Sequence, residues 1–263
     1  MKMNENLASW ATSIFPEIEI SENELSFGAK LKVHFLSISQ NANFQKTLGS
    51  NEIVLWEDIW HNRQEQVKAR IGSLIGTNKT ISARETLVRR IDKPEMDVFL
   101  DLNHLMDVVS AKHKYGLVYK GVMVAVASFS AAKTFYRNET PFRSVELVRF
   151  ASMQGVNVAG GLGKILEHFV QEHQPDDIMT YTDREWSNGE VYEKLGFEKV
   201  EQTPPLTFWV HPMETVRYQA HRLPKQLLDE CAEMNLELDN YLISKGFCRI
   251  FNQGNNKFLW KLK

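Results

Sequence analysis

Apolar residues recur along the chain with two different periods, and the changes of period mark out its elements. Residues 30–38 (KLKVHFLSI) and 52–56 (EIVLW) are short strand-like runs, after which residues 57–76 turn helical. Ile59, Val67, Ile71, Leu74 and Ile75 share one helical face there, and Gly76 is placed as a stop. Residues 81–91 (ISARETLVRRI) read as a strand, and residues 93–109 as an amphipathic helix with Pro94 near its start. Residues 115–130 (YGLVYKGVMVAVASFS) read as a hairpin turning at Lys120 and Gly121, whose second strand is apolar on both faces, as a central strand should be.

The next stretch repeats the alternation of strand and helix. Residues 145–153 (VELVRFASM) predict a strand, 158–170 (VAGGLGKILEHFV) a glycine turn and helix, and 177–183 (DIMTYTD) a second strand, which a right-handed crossover makes parallel to the first. Beyond residue 213 two short helices are expected, over 215–228 and 229–244, and then a hairpin over 247–260 turning at 252–256. The pattern predicts a mixed α/β protein: a small N-terminal α/β unit over 1–78, bounded near the polar TNK at 77–79, and a larger domain over 79–263 with an extension from about 213. It contains no internal repeat.

Bulk properties narrow the function classes. A chain of 263 residues with 43% hydrophobic and 24% charged content has the composition of a globular protein. The formal net charge of −2 predicts no general attraction to polyanions, although residues 63–93 hold eight Lys/Arg against three Asp/Glu, an excess that either contacts nucleic acid through 61–93 or forms a solvated face. Only Cys231 and Cys248 occur, and the start of the chain has no basic-then-apolar leader, so a reduced, cytoplasmic protein is expected. No apolar run reaches the roughly 18 residues of a membrane span. Neither CxxC nor HExxH is present, so no metal is expected.

The glycine turn carries the first chemical signal. The opening turn of a helix leaves N–H groups unpaired at the positive end of the macrodipole, and glycine lets an anion approach them closely. Gly160, Gly161, Leu162, Gly163 and Lys164 therefore read either as a phosphate cradle or as a strand-to-helix connection needing positive φ. The Lys164 ammonium, placed unfavourably near a helix N-terminus, favours the anion.

Two segments in this order, GVNVAGGLGK (155–164) after one strand and NGEVYEKLGF (188–197) after the next, resemble the GCN5-related N-acetyltransferase superfamily over residues 81–211. Its pyrophosphate loop is Q/R-x-x-G-x-G/A; Gly161 and Gly163 match the two small positions, and Val158 stands where Gln or Arg is usual. Asn188, Tyr192, Leu195, Gly196 and Phe197 match the later segment. The resemblance implies a GNAT-like acyl-CoA N-acyltransferase fold, a mixed central sheet flanked by helices, with acetyl-CoA as co-substrate and transfer of an acetyl group to an unidentified amine.

A narrower similarity, carried by IVLWEDIW, FLDLNHL, ELVRF and GFCRIFNQGNNKF, is to phage and bacterial acetyltransferase-like proteins often fused behind nuclease-like domains. Residues 24–40 contain no E-x-K pair, so a nuclease ancestry of the N-terminal unit would be catalytically empty.

Acetyl transfer to an amine titrating near pKa 10.4 requires a base. Glu146, expected to share a strand face with Val148 and Phe150, is the first candidate, its alternative being an ion pair with an arginine such as Arg149. Asp183, at the end of the following strand, is the second candidate or else a turn residue. The resemblance makes Tyr192 the acid towards the leaving thiolate; the alternative is an amphipathic packing residue. Asn188 either caps a helix or contacts the pantetheine arm.

The resemblance also places the donor carbonyl at the strand end 151–158, so that Val156 and Val158 join residues 160–164 as donor-binding positions. His104 reads as an acceptor-side group or a satisfied histidine, and Trp56 and Trp60 as a packing staple. Two rival functions remain: a catalytically inactive nucleic-acid-binding module of the same fold, and an aminoacyl-tRNA-dependent transferase.

Overall fold

The computed structural model describes residues 5–39, 44, 46–137 and 139–262. In chain order the elements are α1 (Glu5–Ile14), β1 (Glu19–Ile20), β2 (Glu24–Ser26), β3 (Lys32–Leu36), β4 (Glu52–Trp56), α2 (Glu57–Asn62), α3 (Gln64–Ile75), β5 (Lys79–Ser82), β6 (Leu87–Arg90), α4 (Lys93–Asn103), β7 (His113–Tyr119) and β8 (Val122–Phe129). They continue as β9 (Lys133–Arg137), β10 (Thr140–Ser152), β11 (Val156–Ala159), α5 (Gly161–His173), β12 (Asp177–Asp183), α6 (Glu190–Lys194) and β13 (Glu198–Gln202). The last are β14 (Thr207–His211), β15 (Val216–Gln219), α7 (Lys225–Glu233), α8 (Leu238–Ser244), β16 (Cys248–Phe251) and β17 (Asn255–Lys261).

These elements form two compact units, neither of them contiguous in sequence. The first comprises Met1–Gln64, Asp183–Asn188 and Thr203–Asn255, the second Glu65–Thr182, Gly189–Gln202 and Asn256–Lys263. This differs from the expected succession of 1–78 and 79–263. Part of the reason is a shared core: Leu36, Ile38, Val54 and Trp56 from the N-terminal segment are buried together with Phe208, Val210 and Ile250. A chain segment that buries its apolar side chains in one cluster is held there whatever its position in the sequence.

The first unit contains the sheet β1-β2-β3-β4, in which β3 and β4 are parallel, and the antiparallel sheet β15-β14-β16. Residues 216–219, expected to be helical, are β15, paired with β14 from Phe208↔Gln219 to His211↔Val216. Helices α7 and α8 follow, with Trp209, Tyr241, Leu242 and Phe247 in a second cluster. The helical run expected over 57–76 is two helices, α2 and α3, separated at Arg63, whose φ of −135° and ψ of 37° leave the helical region. Gly76 does end the second, with a φ of +79°.

The second unit is built on the sheet β13-β17-β12-β10-β8-β7-β6, with β9 paired to β10. Strands β6, β7, β8 and β10 are successively antiparallel, whereas β10 and β12 are parallel as expected from the intervening helix. Lys120 and Gly121, with φ of 47° and 83°, form the β7–β8 turn. On one face Leu162, Ile165, Leu166 and Phe169 of α5 bury Tyr115, Ala127, Phe129, Val145, Leu147 and Ile178. On the other, Met96, Phe99 and Leu100 of α4 pack against Val126 and Ala151. Helix α4 starts at a capping box in which Asp92 accepts from the Glu95 N–H and Glu95 from the Asp92 N–H.

Residues 247–260 do not form the expected hairpin. β16 pairs with β14, whereas β17 pairs with β13 in the larger sheet. Between them Asn252 Oδ1 accepts from the N–H groups of Leu206 (2.7 Å) and Gly254 (2.9 Å). Gly254 has a φ of +75°, and a Cβ there would lie 2.3 Å from the Thr203 carbonyl oxygen. The turn residues thus separate two strands instead of joining them as partners.

Gly189 shows how tightly β17 is seated. Its φ is +90°, and a Cβ would fall 2.1 Å from Cζ of Phe258, a fully buried residue of the α5-side cluster. Gly189→Ala combines left-handed backbone strain with overpacking and is expected to destabilise the protein by about 3 kcal/mol in urea unfolding; a change below about 0.5 kcal/mol would contradict this packing.

Candidate active site

The second unit has a gap in its sheet where two strands part. β10 and β12 pair through only three residue pairs, Ser144↔Asp177, Val145↔Ile178 and Glu146↔Met179. At the same level β10 bulges: its register with β8 shifts between Leu147, opposite Phe129, and Arg149, opposite Ser128. A bulge adds a residue to one strand, bends it and disrupts the ladder locally. The first residue of β12 beyond the pairing, Thr180, is buried, and its hydroxyl donates to the Leu147 carbonyl at 3.0 Å. A side chain thus satisfies a carbonyl at the point where the pairing ends.

The bulge also corrects the expected alternation of Glu146, Val148 and Phe150. Phe150 lies opposite Ala127 and packs on the α5-side cluster, whereas Glu146 lies between Val145 and Leu147, both of which face α5. Strand alternation therefore directs Glu146 to the opposite face. Its backbone N–H donates to the Ser130 hydroxyl oxygen at 2.9 Å. Among the described residues nothing forms an ion pair or hydrogen bond with its carboxylate. Arg149, the partner considered from sequence, donates to the backbone carbonyls of Val148 (2.9 Å) and Asp107 (3.3 Å).

Tyr192 lies on the α5 side, against Phe197 and Phe258 with ring centroids 5.6 Å away in each case. Burial raises its phenol above the ordinary tyrosine value, a shift opposed by a hydrogen bond with Thr180 and by the charge of Arg70 on α3. Thr180 is therefore the point at which the phenol and the strand gap meet. Sequence reading passed over it because one threonine in an alternating strand carries no signal of its own. Arg70 was hidden in the same way inside an amphipathic helix.

The glycine turn is local and tightly packed. β11 pairs in parallel with β5, from Val156↔Lys79 to Ala159↔Ser82. Gly160 then takes a left-handed φ of 76° as N-cap of α5, and no side chain caps the helix. A Cβ on Gly161 would lie 2.9 Å from Cγ1 of Val158, and one on Gly163 would lie 3.0 Å from Cδ2 of Leu195.

Val156 and Val158 are buried in the α5-side cluster, so the position usual for Gln or Arg presents no polar side chain. Lys164 does not need an anion. Its ammonium donates to the carbonyls of Ala83 (2.8 Å) and Thr86, which removes the electrostatic conflict inferred from its place in the helix. What the turn offers a ligand is backbone N–H groups at the start of α5, the segment that includes Leu162.

Asp183 and Asn188 belong to the first unit. Asp183 accepts the Glu185 N–H at 2.9 Å, a turn contact. Glu185 is 3% exposed and receives Trp56 Nε1–H on both carboxylate oxygens at 3.2 Å. Burial raises both acids, and their mutual repulsion raises Glu185 further, to about 8. The nearby Arg217 is already held by Asp58 through two contacts of 2.6 and 2.7 Å. Asp183 thus has the elevated pKa of a base candidate, for reasons internal to this cluster.

Trp56 is buried in the same unit's core, and Trp60 packs against Trp10 with centroids 6.3 Å apart. His104 caps the C-terminus of α4 and accepts the Met106 N–H on Nδ1 at 2.9 Å. Much of the basic excess over 63–93 is neutralised within the second unit: Lys68 pairs with Glu65, Arg89 with Glu95, Arg90 with Glu172 and Lys93 with Asp97. Among the described residues no group of His, Cys, Asp and Glu is arranged to hold a metal ion, and no helix is long and apolar enough to cross a membrane.

No family model matches the sequence, and no curated protein matches it. Solved structures do. A GNAT family acetyltransferase from Elizabethkingia anophelis with acetyl-CoA bound is 10% identical, with a TM-score of 0.36 over 68% of this chain and 99% of that chain. An acetyltransferase from Bacillus subtilis in complex with CoA is 12% identical, with a TM-score of 0.37 over the same shares. A structure described as histone acetyltransferase HPA2 and related acetyltransferase, from Corynebacterium glutamicum, is 15% identical, with a TM-score of 0.36 over 46% of this chain and 88% of that one.

The buried acid pair sets a pH dependence with a definite sign. Acids raised on folding bind more protons in the native than in the unfolded state, so the stability they confer is full below about 4.5 and falls as pH rises towards about 8. Unfolding midpoints should therefore decline between pH 5 and 8, and Glu185→Gln should flatten that decline and raise the midpoint at pH 8. A wild-type midpoint that rises with pH over this range would contradict the assignment.

Proposed function

We propose that the second unit is an acyl-CoA-dependent N-acetyltransferase of GNAT type that acts on an amine acceptor. The observation carrying the proposal is the coincidence of the β10 bulge, the end of β10–β12 pairing and the Thr180–Leu147 bond at one level of the sheet. Parting strands leave main-chain groups able to receive an extended amide-containing ligand, and α5 presents an uncapped N-terminus suited to phosphate.

In this reading the amides of Gly161, Leu162 and Gly163 bind the pyrophosphate, and Val156 and Val158 supply backbone groups and an apolar wall. Acetyl-CoA supplies an activated thioester. Glu146, with no partner for its carboxylate among the described residues, takes the proton from the attacking amine directly or through water. Tyr192 donates a hydrogen bond towards the departing thiolate; its raised pKa keeps the phenol protonated beside a thiol of ordinary pKa about 8.5. Thr180 orients that phenol. These assignments put base and acid on opposite faces of the sheet, on either side of the gap.

Titration of the full chain with acetyl-CoA and CoA in a thermal-shift assay tests binding. At a hundredfold excess over Kd the native state gains about 2.7 kcal/mol. Gly163→Asp, which meets only the flexible end of Leu195 and adds charge at the turn, should remove the shift while keeping the fold by circular dichroism. Absence of a shift at millimolar ligand in the wild type would refute the reading.

Acetyl transfer to a panel of amines tests the chemistry. Glu146→Gln is expected to lower kcat by about a hundredfold or more with acetyl-CoA binding retained; undiminished kcat would remove Glu146 from its role.

A further inference from the structure

The first unit contains a concave site unrelated to the sheet gap. A cavity of about 290 Å³ opens between the β14–β15 turn, helix α7 and the segment following α8, and its walls include His211, Glu214, Tyr218, Glu230, Lys245 and Phe247. The aromatic members are packed on one another: His211 stands edge-on to Phe247 at 5.2 Å, and Tyr218 lies tilted against it at 6.1 Å. His211 Nδ1 accepts the Glu214 N–H at 3.1 Å, so the neutral ring carries its proton on Nε2. Gly246 leaves room for that ring, since a Cβ there would lie 3.0 Å from Nε2.

The charged members divide into satisfied and unsatisfied groups. Glu230 is held by three donors, receiving Gln226 on Oε1 at 3.1 Å and both Tyr241 (2.7 Å) and Lys245 (2.9 Å) on Oε2. These donors hold its carboxyl down to about 2 and keep it ionised. Lys245 donates to Glu230 and is also hydrogen-bonded to the Tyr241 hydroxyl, which leaves one of the three donors of its ammonium. The Glu214 carboxylate has no ion pair or hydrogen bond among the described residues. The cavity therefore presents one remaining donor of the Lys245 ammonium, the His211 Nε2–H, one unpaired carboxylate and an aromatic wall.

We propose that this cavity binds a free α-amino acid as its zwitterion. Lys245 and His211 Nε2–H hold the carboxylate, Glu214 holds the ammonium, and the wall of Tyr218, Phe247 and Leu227 receives an apolar side chain. A ligand with only a carboxylate leaves Glu214 unpaired, and one with only an amine leaves Lys245 without its second anion. The matched pair of opposite charges is what selects the zwitterion.

The test uses the full chain in thermal-shift and calorimetric titrations with L-leucine, L-methionine and L-phenylalanine, each beside its carboxamide and its deaminated acid. The expected result is a saturable upward shift with at least one amino acid and at least about tenfold weaker binding of both its analogues. Glu214→Gln, at an exposed position, and Lys245→Met should each weaken binding of the amino acid about tenfold or more. If Lys245→Met fails to fold, Glu214→Gln with the analogue pairs still decides. No shift with any of the three amino acids, or equal binding of amino acid and analogues, would overturn the proposal. The outcome is independent of acetyl-CoA binding.

Discussion

The interaction on which the candidate chemistry depends is the single hydroxyl-to-carbonyl bond from Thr180 to Leu147. Parallel strands gain by continuing to pair, and a gap between them exposes main-chain groups that need other partners. In this protein the bulge at residues 147–149 interrupts the register, and Thr180 occupies the Leu147 carbonyl at which that shift begins. The phenol of Tyr192 meets the same threonine. Gap, bulge and candidate acid are therefore one local structure and not three separate features.

Much of this was legible from residue pattern because it is local. The β7–β8 turn needs two positive φ values, which Lys120–Gly121 supplies, and the strand–glycine–helix–strand order around α5 dictates a parallel pair. The amphipathic α4 announced itself by Pro94 and by its apolar face.

What remained hidden depends on partners distant in sequence. Nothing in residues 247–260 reveals that β16 and β17 join different sheets, because each strand pairs with a segment tens of residues earlier in the chain. The phase change at Val148 is likewise invisible in an alternating run. Lys164 reads as a displaced cation until the carbonyls of Ala83 and Thr86 are seen beneath it. The raised pKa of Glu185 arises from burial that no neighbouring residue foretells.

The interleaving of the two units bears on how the chain is made. Strand β17 lies between β13 and β12 inside the larger sheet, with Phe258 fully buried in its core, and β3 and β4 share their cluster with β14 and β16. During synthesis the first 64 residues emerge long before residues 203–255, and the larger sheet lacks an internal strand until residue 261 is free. Neither unit has all its segments until late in synthesis, so the contacts that complete each core span long stretches of chain. The same interleaving makes the units inseparable as genetic modules: no single break in the chain yields either one whole.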